Sequence, residues 1–531
     1  MRNCRAISAV LVSVIVLAHL GACSRVAEPE PVLTFNPKIA FTRQISTDLS
    51  IVYPGQAISP DGKYLLAKQD DLESSALTVV PLDSPTDRQI SVAPKEDFRV
   101  ESIALAGWVS STRFLFVGTG LQTKGPNEGK RGVSIFSADV RKRTPQELAF
   151  IELAQGRPGR VSSIPKKGML YFRVSGALWE FNVAGNALRQ VKSGLPEDDG
   201  FYNFTLSPIG EYGVYGRPVA GSSPTESTYP PMSRDLYILD TASGKEWPLP
   251  VAQNTIGYDP LWSPDGRYLA FYTAGRKADV PEASPDDVRL SAFEVAYDDG
   301  IFSVGSEVSV VDTNDMSIRS ISIKDKVIGN VFWGPDSKTL AFIAGRRGGP
   351  EVNREVIVDK ALGVKITPPD PYEMVYDDSL MTVDVSADKL APSLLADLQS
   401  LPGVGSAEVS AFPLAIHPSG SGVFFSASFD RHSETWYVSS GKPPAKTASG
   451  GAYLSGRQNP IYGDCIVGIH RGTEFGKSIT LFRPQGSESL VEVDVRRSFM
   501  DIVGFNDRLL VVLQRDSQTK TRSLIVYRMF N

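Results

Sequence analysis

Ser59-Pro60-Asp61-Gly62-Lys63-Tyr64-Leu65-Leu66-Ala67 recurs as Ser263-Pro264-Asp265-Gly266-Arg267-Tyr268-Leu269-Ala270-Phe271 and, more loosely, as Gly334-Pro335-Asp336-Ser337-Lys338-Thr339-Leu340-Ala341-Phe342. Average residue usage predicts on the order of 0.01 occurrences of Ser-Pro-Asp-Gly in a chain of this length, so two in the same context are a repeat. The chemistry is that of a hairpin turn: Pro presets φ, Asp bonds back to the local backbone, and Gly accepts the left-handed conformation that returns the chain. The aliphatic and aromatic residues that follow read as a buried strand.

Weaker copies fill the intervals. They start at Trp108, Ile164, Ser207, His417, Tyr462 and Phe505, which makes nine candidate turns about 43 to 83 residues apart. A second short strand follows most of them, as in Leu236-Tyr237-Ile238-Leu239-Asp240 with Ser243-Gly244 behind it, and each unit has room for about four strands. Four-stranded repeats longer than about 40 residues are the signature of propeller blades, which bury their faces only by stacking around a ring. The pattern resembles the WD-like repeats of TolB-type propellers and of the N-terminal propellers of the prolyl oligopeptidase family, over roughly residues 50 to 528. In such rings Pro60, Asp61, Gly62, Pro264, Asp265, Gly266, Pro335 and Asp336 shape turns and do no chemistry.

The expected fold is all-β, a single propeller over 33–531 with about eight blades, seven or nine being allowed. At about 150 residues per domain, 531 residues would give three or four domains; no linker with a composition shift divides the middle of the chain. The last unit, Ile502 to Tyr527, lacks its outermost strand, and Leu33-Thr34-Phe35 or Ile39-Ala40-Phe41 would supply it and close the circle. Residues 118–132, 217–234, 273–305 and 344–380 fall between second and third strands, which puts these insertions on one face. Leu394, Leu395, Leu398 and Leu401, between Pro392 and Pro402-Gly403, have helical spacing and predict a short helix on the ring.

Arg2 and Arg5 followed by the apolar run Ala6 to Leu20 form an export signal too short to span a bilayer comfortably. It ends in Leu20-Gly21-Ala22-Cys23, which resembles the lipobox of bacterial lipoproteins. That resemblance implies cleavage after residue 22, acylation of Cys23, and residues 23–32 as a tether. In a Gram-negative envelope, Ser24 after the lipidated Cys resembles an outer-membrane address. With Cys4 removed and Cys23 acylated, Cys465 is the one remaining thiol, set in an apolar strand-like run as a core residue.

The full chain has 55 Lys and Arg against 60 Asp and Glu, and no basic excess for phosphate binding, so nucleic acid is not an expected partner. No Gly-x-Ser-x-Gly elbow occurs, so the hydrolase domain of the prolyl oligopeptidase family is not carried over. Cys-x-x-Cys and His-Glu-x-x-His are missing too, and Gly472 to Ser478 is one residue short of a phosphate-binding loop and reads as a hairpin. The acidic doublets Asp286-Asp287, Asp298-Asp299 and Asp377-Asp378 lack calcium-loop spacing, and Arg346, Arg347, Arg354 and Lys360 read as a solvated basic loop. His417 reads as a turn residue and His470 as a weak acid-base or ligand candidate; with His432 they do not form a metal cluster, and no cofactor is expected.

The expected function is a lipid-anchored cell-envelope scaffold that binds envelope proteins or peptides through the insertion face. The alternatives are a lyase or a glycan or peptide hydrolase working at the central channel, and a non-catalytic peptide-binding relative of the peptidase propellers.

Overall fold

The computed structural model describes residues 35–530 apart from segments between strands, the longest being 196–203, 219–232, 279–293, 348–355 and 367–374. The chain divides into two units. Pro37–Met529 holds the propeller; of the other unit Phe35, Asn36 and Phe530 are described, and in it the rings of Phe35 and Phe530 meet edge-on at 5.4 Å.

Nine four-stranded blades follow one another along the chain among the described residues. Blade 1 is Leu49–Ile51, Tyr64–Asp70, Ser75–Pro81 and Ile90–Val92. Blade 2 is Phe98–Trp108, Arg113–Gln122, Arg131–Asp139 and Lys142–Glu152. Blade 3 is Val161–Ile164, Met169–Val174, Ala177–Asn182 and Ala187–Lys192. Blade 4 is Thr205–Leu206, Tyr212–Pro218, Ser233–Asp240 and Glu246–Pro248. Blade 5 is Thr255–Trp262, Tyr268–Ala278, Gly300–Asp312 and Ser317–Ser322. Blade 6 is Lys326–Trp333, Thr339–Arg347, Val375–Asp384 and Ser393–Asp397. Blade 7 is Val409–Ile416, Gly422–Phe429, His432–Ser439 and Ala445–Ser449. Blade 8 is Gly451–Tyr453 with Ile461–Tyr462, then Cys465–Arg471, Gly476–Arg483 and Gly486–Asp494. Blade 9 is Ser498–Phe505, Leu509–Asp516 and Arg522–Phe530, with Phe35–Ile45 hydrogen-bonded to the last of these. Arg43 Nη1, on that added strand, donates to Pro81 O of blade 1 at 3.4 Å.

Nine blades fall at the upper end of the expected seven to nine. Each of the nine sequence turns precedes the second strand of one blade, so the turns themselves carried the full number. The repeat has a common turn: Ser59 Oγ donates to Asp61 Oδ1 at 2.7 Å and accepts Tyr64 N at 3.0 Å, and Ser263 does the same with Asp265 and Tyr268 at 2.7 and 2.8 Å. Gly62 and Gly266 stand at φ 74° and 76°, in the left-handed region the turn demands. Gly334 leaves Asp336 without a Ser partner, and its carboxylate instead accepts Thr339 Oγ1 at 2.6 Å. In blade 7 the pair becomes His417 Nδ1 and Ser419 Oγ at 2.7 Å, so His417 is a turn residue as expected.

Three pairs of consecutive blades, 1–2, 4–5 and 5–6, are joined by a Trp at the end of a first strand. Trp108 Nε1 donates to Ala57 O at 3.0 Å, Trp262 Nε1 to Thr205 O at 3.2 Å and Trp333 Nε1 to Leu261 O at 3.0 Å. Every acceptor lies two residues before the turn Ser of the preceding blade. The indoles of Trp108 and Trp333 also stack on Tyr64 and Tyr268, 6.0 and 6.2 Å between centroids, so blades 1 and 5 each offer the next blade an aromatic ring and a carbonyl together. Farther from the axis, Arg189 on the fourth strand of blade 3 donates to Thr241 O and Ala242 O at 2.7 and 2.8 Å, and Arg319 of blade 5 reaches Val385 O of blade 6 at 2.6 Å.

The predicted helix at 392–401 is not formed. Ser393–Asp397 is the outer strand of blade 6, and a 3-10 turn, Leu398–Ser400, follows it with Asp397 Oδ1 accepting Gln399 N at 3.0 Å. Leu398 and Leu401 are buried between blades 6 and 7, whereas Leu394 is 60% exposed, so the leucines do not share one face. An outer strand open to solvent on one side mimics the helical stripe, and sheet pairing wins.

The indole bond yields a stability prediction. Trp108→Phe keeps most of the buried ring but removes one of two donors to Ala57 O, the other being Leu66 N at 2.8 Å. It should lower unfolding free energy by about 1 kcal/mol. Trp108→Ala should lose about 3–5 kcal/mol. Chemical unfolding followed by tryptophan fluorescence and by circular dichroism checks both values.

Candidate functional site

Strands alternate in direction within a blade, so every connection from second to third strand leaves the face opposite the Ser-Pro-Asp-Gly turns. All four predicted insertions occupy that position: 118–132 in blade 2, 217–234 in blade 4, 273–305 in blade 5 and 344–380 in blade 6. Residues 219–232, 279–293, 298–299, 348–355, 360–362 and 367–374 lie outside the described residues. The flanks are described, and they connect. Ser233 of blade 4 bridges to Gly257 of blade 5, merging the two blades into one sheet on this face. Glu294–Tyr297 adds a strand to Gly300–Asp312 and runs beside Gly363–Ile366, the second strand of a hairpin with Val356–Asp359 in the blade 6 insertion. Three consecutive blades thereby carry a linked rim.

The blade 2 insertion is a self-contained hairpin. Lys130 Nζ pairs with Glu152 at 2.7 Å and Arg131 with Glu101 at 2.6 Å, while Glu147 accepts both Gln122 Nε2 and Ser134 Oγ at 2.6 Å. These polar groups are consumed by the fold.

The first strands surround the axis, and two of them hold a feature the sequence reading missed. Asp259 and Asn330 adopt φ of 49° and 50°, each at a register slip in the innermost strand of blades 5 and 6. Left-handed non-glycine residues are held only where their surroundings demand it, and bulges re-aim side chains at rims and sites. Asp259 is exposed; Asn330 Nδ2 donates to Ala411 O of blade 7 at 3.2 Å, next to Phe412, which is 43% exposed on the same level of its own innermost strand. The available signal was an Asx three residues before the Trp, in Asp259-Pro260-Leu261-Trp262 and Asn330-Val331-Phe332-Trp333.

At the base of the blade 6 insertion, Lys326 Nζ donates to Ser379 Oγ at 2.8 Å with Asp378 Oδ2 at 3.7 Å. The amine is held between the Ser379 hydroxyl and the Asp378 carboxylate as an ion pair at the foot of the loop. The other interior carboxylates serve the frame: Asp312 takes Arg267 Nε and Nη2 at 3.2 and 2.7 Å, and Glu180 takes Tyr171 OH at 2.7 Å. Burial and this carboxylate push the Tyr171 phenol up to about 12.

Among the described residues no group of three or more His, Cys, Asp or Glu could hold a metal ion. Leu20, Gly21, Ala22 and Cys23 lie outside the described residues, as does the His432 side chain. Pro60, Asp61, Gly62, Pro264, Asp265, Gly266, Pro335 and Asp336 all sit in turns on the opposite face. His470 lies near the insertion-face end of blade 8, far along the chain from Lys326 and Asp259, and faces Ser478 across the hairpin predicted there.

No protein-family model and no curated protein sequence matches the chain. Among solved structures it is similar to an oligogalacturonate lyase from Vibrio parahaemolyticus, at 10% identity and TM-score 0.32, over 76% of this chain and 96% of that one. It is similar to dipeptidyl peptidase 4 of Porphyromonas gingivalis, at 12% identity and TM-score 0.32, over 88% and 65% of the two chains. A protein described as TolB from Agrobacterium tumefaciens is similar at 15% identity and TM-score 0.26, over 61% and 91%.

Cys465 is fully buried, and burial pushes its thiol up to about 11, helped by Asp464, to which it donates at 3.2 Å, and opposed by Arg483. It should not react with an aromatic disulfide reagent at pH 8 in the folded protein and should react within minutes in denaturant. Fast labelling of the native chain would remove it from the core.

Proposed function

We propose that this protein is a lipid-anchored cell-envelope scaffold, held through Cys23 at the outer membrane, that binds a protein or peptide partner with the insertion face of blades 4 to 6. One observation carries the reading. Insertions from three consecutive blades emerge on one face, and their flanks are tied by the Ser233–Gly257 bridge and by the strand Glu294–Tyr297 beside the neighbouring hairpin. Long loops on a rigid frame are where recognition residues concentrate, and a rim spanning three blades offers more area than a single loop. The reading is also supported by the interior carboxylates Glu147, Glu180 and Asp312, each occupied by structural donors.

The anchor and the binding face are tested separately. Cys23→Ser should move the protein from the membrane to the soluble fraction and abolish acyl labelling; unchanged fractionation sinks the lipoprotein reading. Joining Ala278 to Gly300 through a short Gly-Ser turn should leave thermal unfolding within a few degrees of wild type. The same variant should lose the partner recovered by crosslinking on intact cells. Undiminished recovery assigns binding to another face.

A further inference from the structure

Phe35–Ile45 lies outermost in blade 9, hydrogen-bonded to Arg522–Phe530, in the position of a fourth strand. Its direction follows from its contacts with blade 1. Arg43 reaches Pro81 O of blade 1 as Arg319, on the fourth strand Ser317–Ser322 of blade 5, reaches Val385 O of blade 6. Ile45 is buried in one cluster with Val80 and Leu82 of blade 1, as Ile321 is with Val383 and Val385 of blade 6. Three residues then lead from Ile45 to Leu49 at the start of the next first strand, as three lead from Ser322 to Lys326.

First strands start on the insertion face. Leu49 pairs with Gln69 and Lys326 with Arg346, near the far ends of second strands that begin at the turns. Ile45 therefore lies toward the insertion face, and the chain enters this strand from the turn face, at Pro37. The strand has 11 residues, about 36 Å at about 3.3 Å each. From Cys23 to Phe35 there are 12 residue steps, which reach at most about 43 Å when fully extended. Only a tether drawn out to nearly its full length and laid back along the strand would bring the insertion face to a bilayer that holds Cys23, and a chain held so straight loses its conformational freedom. The turn face meets no such obstacle. Its connections between third and fourth strands are as short as Val140-Arg141 and 313–316, which leaves it low enough to lie close to a flat surface.

We propose that the ring sits on its anchoring bilayer turn face down, an inference that rests on the lipoprotein reading, so that the rim of blades 4 to 6 points away from that bilayer and takes a soluble protein or peptide rather than one embedded in the same membrane.

Energy transfer from single dyes to an acceptor lipid in the outer leaflet of vesicles tests this on the full lipidated chain. Arg141→Cys and Asn314→Cys place a donor on the turn face of blades 2 and 5, and Glu128→Cys and Lys324→Cys place one on the insertion face of the same two blades, all at exposed positions. Cys465 is buried and stays unlabelled. The two sites of blade 2 are separated by the 9 residues of Arg131–Asp139, about 30 Å of strand. Transfer from the turn-face site should therefore be several-fold higher in each blade. Equal transfer from both faces, as a ring standing on its edge would give, or higher transfer from the insertion face overturns the proposal. Failure of the lipoprotein reading shows separately, as a wild type that binds vesicles no better than Cys23→Ser. In that case a polyhistidine segment in place of residues 1–23, held on nickel-chelating lipid, reads the orientation imposed by the strand, with the same two results deciding it.

Discussion

The ring depends on apolar packing between consecutive blades, which an indole bond makes directional at three of the seams. A four-stranded blade alone has two apolar faces and cannot be stable; its core exists only as the interface with its neighbours. Apolar packing alone would let blades slide, because it is non-directional. Trp108, Trp262 and Trp333 each add a direction: one N–H to one carbonyl, two residues before the neighbour's turn. The turn's own Ser and Asp fix the height of that carbonyl, so the Ser-x-Asp geometry and the indole form one device. Arg189 and Arg319 repeat the principle at larger radius, reading the carbonyls after the neighbour's third strand. Inner and outer fasteners together set blade angle and leave the opposite face free.

That division explains which residues carry no chemistry. The polar residues that recur with the repeat, Ser59, Asp61, Ser263, Asp265, Asp312 and Thr313, are engaged within the turns and strand ends; Thr313 Oγ1 donates to Arg267 O at 2.8 Å, for example. Groups left to function are those that break the repeat. Asp259 and Asn330 break it by taking left-handed φ in otherwise extended strands.

The ring was legible in the sequence because its turns use residues with few alternatives. Pro-Asp-Gly after an aromatic needs a hairpin, and the chemistry survives decay: His417 with Ser419 and Asn506, whose Oδ1 accepts Leu509 N at 2.9 Å, perform the same task with other side chains. The blade number was left within a range of seven to nine for that same reason, since functional equivalence without residue identity looks like loss of the repeat. The stripe at 394–401 misled because outer strands are half-exposed, and Leu398 and Leu401 belong to a wedge between blades rather than to a helix face. The channel bulges escaped because a bulge is a property of pairing, and pairing partners such as Gly329 with Ile343 are set by the fold.

Turn spacing, which first looked like irregularity, follows from the energetics of loops. Lengthening a flexible loop twofold adds only about 0.6 kcal/mol of closure entropy. The turn face cannot exploit this, since one extra residue there would displace the Ser, the Asp and the carbonyl that the next blade reads. The opposite face carries no such register. Insertion therefore accumulates between second and third strands, and the interval between turns grows from about 43 to 83 residues while the blades keep their width. The strands Tyr268–Ala278 and Gly300–Asp312 extend past the rim and stay paired at Ala278 and Ile301, which carries the rigidity of the ring into the base of the loops. A recognition surface built there can vary in length and sequence with little penalty to the ring, and its position remains defined by the fasteners on the other side.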